Sequence, residues 1–205
     1  MTTGRITSLS SDERRLLLQL ARESIEAATA GKPHPPIELE KLPAPLCEPA
    51  ACFVTLHIGE DLRGCTGTLV ARTPLVEEVI YTAAQTALSD PRFNPVKPDE
   101  VPSIDIEVSV LTAPQKLDVP TPDALPQLLR PGIDGVTLSR GLHRATFLPQ
   151  VWDKIPDPIV FLDMLSQKMG LSPKAWLAPG MQVEVYQVEE FSESGMAKEA
   201  TSNES

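Results

Sequence analysis

Leu62-Arg63-Gly64-Cys65-Thr66-Gly67-Thr68-Leu69 reads as a β-strand that carries two glycines, one thiol and one arginine. Glycine weakens a strand, and it marks a bulge or a close approach of other atoms to the backbone. Two glycines bracketing Cys65 predict open space beside the sulfur, taken up by a ligand or by another piece of chain. Just upstream, Cys52, Val54, Leu56 and Ile58 alternate with Phe53, Thr55 and His57, the period-two pattern of a second strand. Gly59-Glu60-Asp61 turns one into the other, so the pair reads as a β-hairpin. With a three-residue loop, His57 opposes Arg63 and Thr55 opposes Cys65. Phe53, His57, Arg63 and Cys65 then share one face, with Leu56, Ile58 and Leu62 on the other.

Outward from the hairpin, a helix is predicted on each side. Upstream, Ser10 to Ala30 carries Leu16, Leu17, Leu20, Ser24, Ile25 and Ala28 at helical spacing. Ser10 and Glu13 form a capping box, and Gly31 supplies the stop. Between that helix and the hairpin, Lys32 to Ala50 holds six prolines, which exclude helix and central strand. It reads as an extended strap, or else as a linker. Downstream, Thr73 and Pro74 open a helix with an apolar face from Leu75 to Leu88, and Ser89-Asp90-Pro91 ends it. Ser103 to Leu111 is a strand: Ile104, Ile106, Val108 and Val110 face one way, Asp105, Glu107 and Ser109 the other.

The order then recurs. Gly135–Ser139 and His143–Leu148 form a hairpin around Arg140-Gly141, Asp157-Pro158 caps a helix that Gly170 stops, and Met181, Val183 and Val185 mark a last strand. Strand–strand–helix–strand thus occurs at about residues 51–111 and again at 135–190, with no residue identity between the halves. The expected fold is α+β: two intertwined lobes built from a repeated β-β-α-β pattern around a mixed or antiparallel sheet. Residues 1–50 are expected as helix and strap packed on the body, 51–191 as the α+β domain, and 192–205 as a disordered acidic tail.

Composition limits the partners. The chain of 205 residues suits one domain or two small lobes. Its net charge of −10 opposes nucleic acid and anionic membranes, both of which need a basic surface. No apolar run is long enough to span a membrane, and Met1 to Ile6 lacks a signal peptide's apolar stretch, so a cytoplasmic location is expected. Cys47, Cys52 and Cys65 are odd in number and hold no CxxC pair, which speaks against a disulfide framework or structural zinc. No cofactor motif is present.

Several segments taken together are similar to one family. Phe53-Val54-Thr55-Leu56, Leu62-Arg63-Gly64-Cys65-Thr66-Gly67-Thr68, Asp90-Pro91-Arg92-Phe93 and Glu107-Val108-Ser109-Val110-Leu111 resemble the AMMECR family. So do Gly132-Ile133-Asp134-Gly135-Val136, Phe147-Leu148-Pro149-Gln150-Val151, and Phe161-Leu162 with Lys168-Met169-Gly170-Leu171. The resemblance runs from about Ala51 to Phe191. It implies a two-lobed α+β unit, and by likeness to protein A of the AmmeMemoRadiSam system it implies Memo-like and radical-SAM partners. The family usually has Ile where Thr66 stands and often Ala at Met169, so Thr66 is read as a hydroxyl added beside the thiol.

Cys65 is the nucleophile candidate, since a neighbouring cation, here Arg63, favours the reactive thiolate. The alternative is a small buried hydrophobe. Glu107 and His57 are candidate acid–base partners, against readings as a solvated strand face and a surface pair. Arg63, Gly64, Thr66, Gly67, Asp90, Arg92, Ser109 and Gln150 are candidate substrate contacts. For Arg63 and the Asp90–Arg92 pair, structural pairing is the competing account, and for Gln150 a bond to backbone. A metal at His57, Cys65 and Glu107 has no supporting ligand spacing. Two functions follow: cysteine-dependent modification or covalent carriage of a small molecule or peptide, and a non-catalytic ligand-binding or adaptor module.

Overall fold

The structure is a computed structural model and describes residues 8–34 and 36–202. Its elements in chain order are helix α1 (Ser11–Thr29), helical turn α2 (Ala44–Cys47), strands β1 (Ala51–Ile58) and β2 (Asp61–Gly67), helix α3 (Leu75–Ser89), and strands β3 (Asp105–Leu111) and β4 (Gln115–Lys116). Then follow α4 (Leu125–Leu128), β5 (Gly135–Arg140), β6 (His143–Phe147), α5 (Pro158–Lys168), β7 (Gln182–Tyr186), β8 (Val188–Ser192) and α6 (Glu193–Ser202). This is an α+β fold with two antiparallel four-stranded sheets, ordered β2-β1-β3-β8 and β4-β7-β5-β6. The chain gathers into two compact units. The first runs to Leu111 and resumes at Glu189, and the second is Thr112–Val188.

In the first unit, α1 starts where the sequence sets it. Ser10 Oγ accepts the Glu13 N–H at 3.3 Å, and the Glu13 carboxylate accepts the Ser10 N–H at 2.7 Å. Its stripe of Leu17, Leu18, Ala21 and Ile25 joins Val76, Val79, Ala83 and Ala87 of α3 on the sheet face formed by Cys52, Val54, Leu56, Ile106 and Val108. Burial of each larger aliphatic side chain contributes roughly 1.5–3 kcal/mol, so this layer dominates the unit's stability. Cys52 sits wholly inside it. Burial, above all, pushes its thiol up to about 12. It is an inert core residue.

The second unit repeats the order as β5-β6-α5-β7. Helix α5 begins at Asp157, whose carboxylate accepts the Ile159 and Val160 N–H groups, and it buries Phe161, Leu162 and Leu165. Trp152 stacks on Phe161 at 3.7 Å and donates its indole N–H to Asp134 O at 2.7 Å. The strands that enter and leave this unit are tied together. Thr112 N–H donates to Gln187 O at 2.9 Å, and Gln187 N–H donates to Thr112 Oγ1 at 2.8 Å.

Two segments differ from expectation. The strap is not wholly extended, because Pro43 and Pro45 fall at the cap and first turn of α2, where a missing N–H costs nothing. Leu46 is fully buried there, and Leu75 N–H donates to Glu48 O at 2.9 Å, so the segment is fastened to the body. The acidic tail is not disordered from residue 192. Phe191 of β8 enters the core, and α6 follows. Arg22 forks onto Glu193 at 2.6 and 2.5 Å, and Glu193 also accepts the Ile106 N–H at 3.1 Å. Asp105 accepts the N–H and hydroxyl of Ser194 at 2.9 and 2.7 Å. Charged pairs dock this helix, with Met196 packed against the core beside them. The expectations for Met1–Ile6 and for residues 203–205 lie outside the described residues.

Candidate functional site

Strand register places the candidate residues. β1 is central and pairs Thr55 with Cys65 on β2 and with Glu107 on β3, so these three form one row across the sheet. The next row is Gly67, Phe53 and Ser109, and His57 lies opposite Asp105. This is the sheet face turned away from α1 and α3. Thr55, a residue not nominated from sequence, donates its hydroxyl to Cys65 Sγ at 3.4 Å.

The hairpin is not the expected one. Ile58 pairs with Asp61, and the register slips between Leu56 and His57, so His57 opposes Leu62 and Arg63 is the extra residue of a β-bulge. A bulge re-aims a side chain, and here it sends Arg63 to Glu100. Nε and Nη2 of Arg63 donate to the two Glu100 oxygens at 3.0 and 3.3 Å. This fork, helped by the Lys97 N–H, holds the Glu100 carboxyl below the usual carboxylate range. Arg63 is therefore spent on a structural pair, with its side chain 16% exposed.

The cation bonded to Cys65 is Arg92, through the backbone carbonyl. Nη2 of Arg92 donates to Cys65 O at 2.8 Å, and Nε and Nη2 also clasp Asp90 at 3.0 and 2.7 Å. Asp90 is buried and accepts the Cys65 N–H at 2.9 Å and the Arg92 N–H at 3.1 Å. The Arg92 guanidinium, joined by the Cys65 and Arg92 N–H bonds and against the raising effect of burial, keeps this carboxyl far below its ordinary range. Arg92 is raised in turn, first by Asp90 and with a smaller contribution from the Cys65 side chain. Both polar groups of the Cys65 peptide are thus fixed by the turn after α3.

The glycines admit this chain rather than a ligand. A Cβ on Gly64 would lie 3.1 Å from both Thr86 Cγ2 and Thr86 O, so its absence lets α3 come close to β2. A Cβ on Gly67 would lie 2.4 Å from Cys52 O and 2.5 Å from the Phe53 ring, which covers it. Thr66 points toward the helix layer as well, its hydroxyl 2.6 Å from that of Thr86. Gly64 and Thr66 therefore do not belong to the thiol's face, and the Thr66 hydroxyl is not beside the sulfur. The alternation rule settles this: Cys65 and Thr66 are neighbours in sequence and opposite in direction.

Glu107 is partly buried and its carboxyl is raised, mainly by desolvation and next by Glu190, with Asp105 adding and His57 opposing. It has the environment of an acid–base group, although Thr55 stands between it and Cys65. Ser109 is buried beside Phe53. Gln150 belongs to the other unit, exposed on the helical turn Pro149–Asp153. His143 has its Nδ1 3.0 Å from Met169 O. Among the described residues no three His, Cys, Asp or Glu converge as metal ligands, and no helix is long and apolar enough to cross a membrane.

The AMMECR1 family model matches residues 18–191 of the chain. A protein of Methanothermobacter thermautotrophicus is 39% identical over 192 residues, spanning 91% of this chain and 97% of its own. One of Methanocaldococcus jannaschii is 36% identical over 192 residues, spanning 90% and 92%. Among solved structures, an uncharacterized protein from Pyrococcus horikoshii is similar with a TM-score of 0.72 at 35% identity, covering 89% of this chain and 92% of its own.

Proposed function

The chain belongs to the AMMECR1 family, and on that premise we propose that Cys65 is a working thiol for cysteine-dependent modification or covalent carriage of a small molecule or peptide. One observation carries this reading. Cys65 is partly exposed on a polar sheet face, with its peptide pinned on both sides, by Asp90 at the N–H and by the Arg92 guanidinium at the carbonyl. A partly exposed cysteine with a cation fixed at its peptide is the setting of a nucleophile that meets an anionic compound. Arg92 takes the role that Arg63 held in the sequence reading. Thr55 orients the sulfur through its hydroxyl, and Glu107 is the acid–base group of the same face. The resemblance to the AmmeMemoRadiSam system supports Memo-like and radical-SAM proteins as the partners that bring or take the carried group.

The test is alkylation of the folded protein by iodoacetamide, with each cysteine followed by peptide mass mapping. Cys65 is expected to react while the protein is folded, and Cys52 only after denaturation. A Cys65 that stays silent until the protein unfolds ends the reading.

A second reading, a non-catalytic ligand-binding or adaptor module, loses Gly64 and Gly67 as points of close approach, since Thr86 and Phe53 occupy that space, and stands as an adaptor docking by its surface. It predicts that Cys65→Ser leaves co-purification of a Memo-like partner intact. Loss of the partner-dependent adduct in the same variant favours the thiol.

A further inference from the structure

We propose that Arg92 is the subsite for an anionic group on the compound that meets Cys65, and that Asp90 is the positioning residue that holds it there. The inference rests on the thiol reading above and assigns its substrate a chemical class: a carboxylate or phosphate oxygen placed beside the electrophilic carbon.

A guanidinium has five N–H donors in a rigid fork. In Arg92 three are committed: Nε to Asp90 Oδ1 at 3.0 Å, and Nη2 to Asp90 Oδ2 at 2.7 Å and to Cys65 O at 2.8 Å. The two on Nη1 donate to no group among the described residues. The side chain is 53% exposed, and its carbon lies 5.4 Å over the Phe93 ring, which fixes the plane of the fork. Arg92 therefore presents a pair of donors to solvent from a guanidinium bonded to the Cys65 carbonyl.

Asp90 was a candidate for binding substrate directly, and its contacts exclude that. Oδ1 takes the Arg92 N–H and Nε, and Oδ2 takes the Cys65 N–H and Arg92 Nη2. With four donors on a carboxylate that is almost fully buried, no acceptor capacity is left for a ligand. Its work is to hold the guanidinium and the Cys65 peptide in one frame. Arg63 offers no comparable subsite, because its side chain is only 16% exposed and the β-bulge turns its fork to Glu100.

The experiment compares two alkylating reagents of like reactivity and different charge, iodoacetate and iodoacetamide, on Cys65 and on N-acetylcysteine. Relative to N-acetylcysteine, the folded protein is expected to favour iodoacetate roughly three- to fivefold, the range of an exposed ion pair. Arg92→Gln is expected to abolish the preference while iodoacetamide still reacts, and Arg92→Lys to keep only part of it. Asp90→Asn separates positioning from charge. Removing a negative charge alone raises the preference for the anion, whereas loosening the fork lowers it, and a lower preference is expected. Melting curves check that each variant is folded, and the wild-type comparison needs no variant. Inorganic phosphate, against chloride at equal ionic strength, then names the source. Protection assigns a phosphate-bearing compound, and preference without protection assigns a carboxylate. A wild-type ratio equal to that of N-acetylcysteine, or one unchanged in Arg92→Gln, overturns the subsite while leaving a reactive Cys65 standing. Silence of Cys65 to both reagents overturns the thiol reading and this inference together.

Discussion

Gly67 is a position where a single methyl group has nowhere to go. Its Cβ would fall 2.4 Å from the Cys52 carbonyl oxygen and 2.5 Å from the Phe53 ring, atoms held by the central strand. Gly67→Ala is expected to cost about 1–3 kcal/mol by overpacking, lowering the melting temperature by roughly 2–4 °C per kcal/mol. Gly64→Ala, at 3.1 Å from Thr86, is expected to cost less in the same calorimetric comparison. Asp90 gives a pH signature. Its folded carboxyl lies below the unfolded value, so the unfolded chain takes up the proton first as acid is added. The stabilisation is complete above the unfolded value of about 3.9 and is lost as pH falls toward the folded one. Asp90→Asn is therefore expected to be destabilised by about 2 kcal/mol at neutral pH. That gap should close progressively below about pH 5 in denaturation series. A gap independent of pH contradicts the ionic account.

At the scale of elements, α6 is a helix held at its first turn, by Glu193, Ser194 and Met196. Glu193 carries the Arg22 fork and the Ile106 N–H, and Arg22 also donates to the carbonyls of Val101 and Ile104 at 3.1 and 2.7 Å. Glu193→Gln is expected to cost about 1–2 kcal/mol, since these are charge-assisted bonds at partly exposed groups. The loss should shrink in high salt, and a melting temperature unaffected by the substitution argues that Phe191, Met196 and the Ser194–Asp105 bonds anchor the segment without Glu193. This helix was illegible in the sequence because its docking rests on charges distant along the chain, whereas periodicity reports only apolar faces. What periodicity could report was legible. The caps and stripes of α1 and α5, the alternation of β1 and β3, and the recurring β-β-α-β order all read directly from residue spacing. The site was half legible. Alternation sorts Cys65, Thr55 and Glu107 to one face, and pairing register, legible beforehand only for Thr55 with Cys65, sets them in one row. The β-bulge at Arg63 does not follow from alternation, and one extra residue sufficed to exchange the roles of two arginines. Glu100 lies in a connection with no pattern, so nothing local announced it as the partner of Arg63.

For the whole molecule, the sheet order carries a consequence about timing. β3 is flanked by β1 and β8, and between them in sequence stands the entire second unit, entered and left at the paired residues Thr112 and Gln187. A chain emerging from the ribosome folds its N-terminal parts first. Here the first 111 residues arrive with β3 as an open edge, and the strand that covers it is made only after 76 further residues have passed, Thr112 through Gln187. An uncovered strand edge is a template for pairing with the wrong chain. During synthesis this protein is therefore most exposed to misassembly in the interval before residue 188 leaves the exit tunnel, and a nascent chain halted there is the species a chaperone would meet.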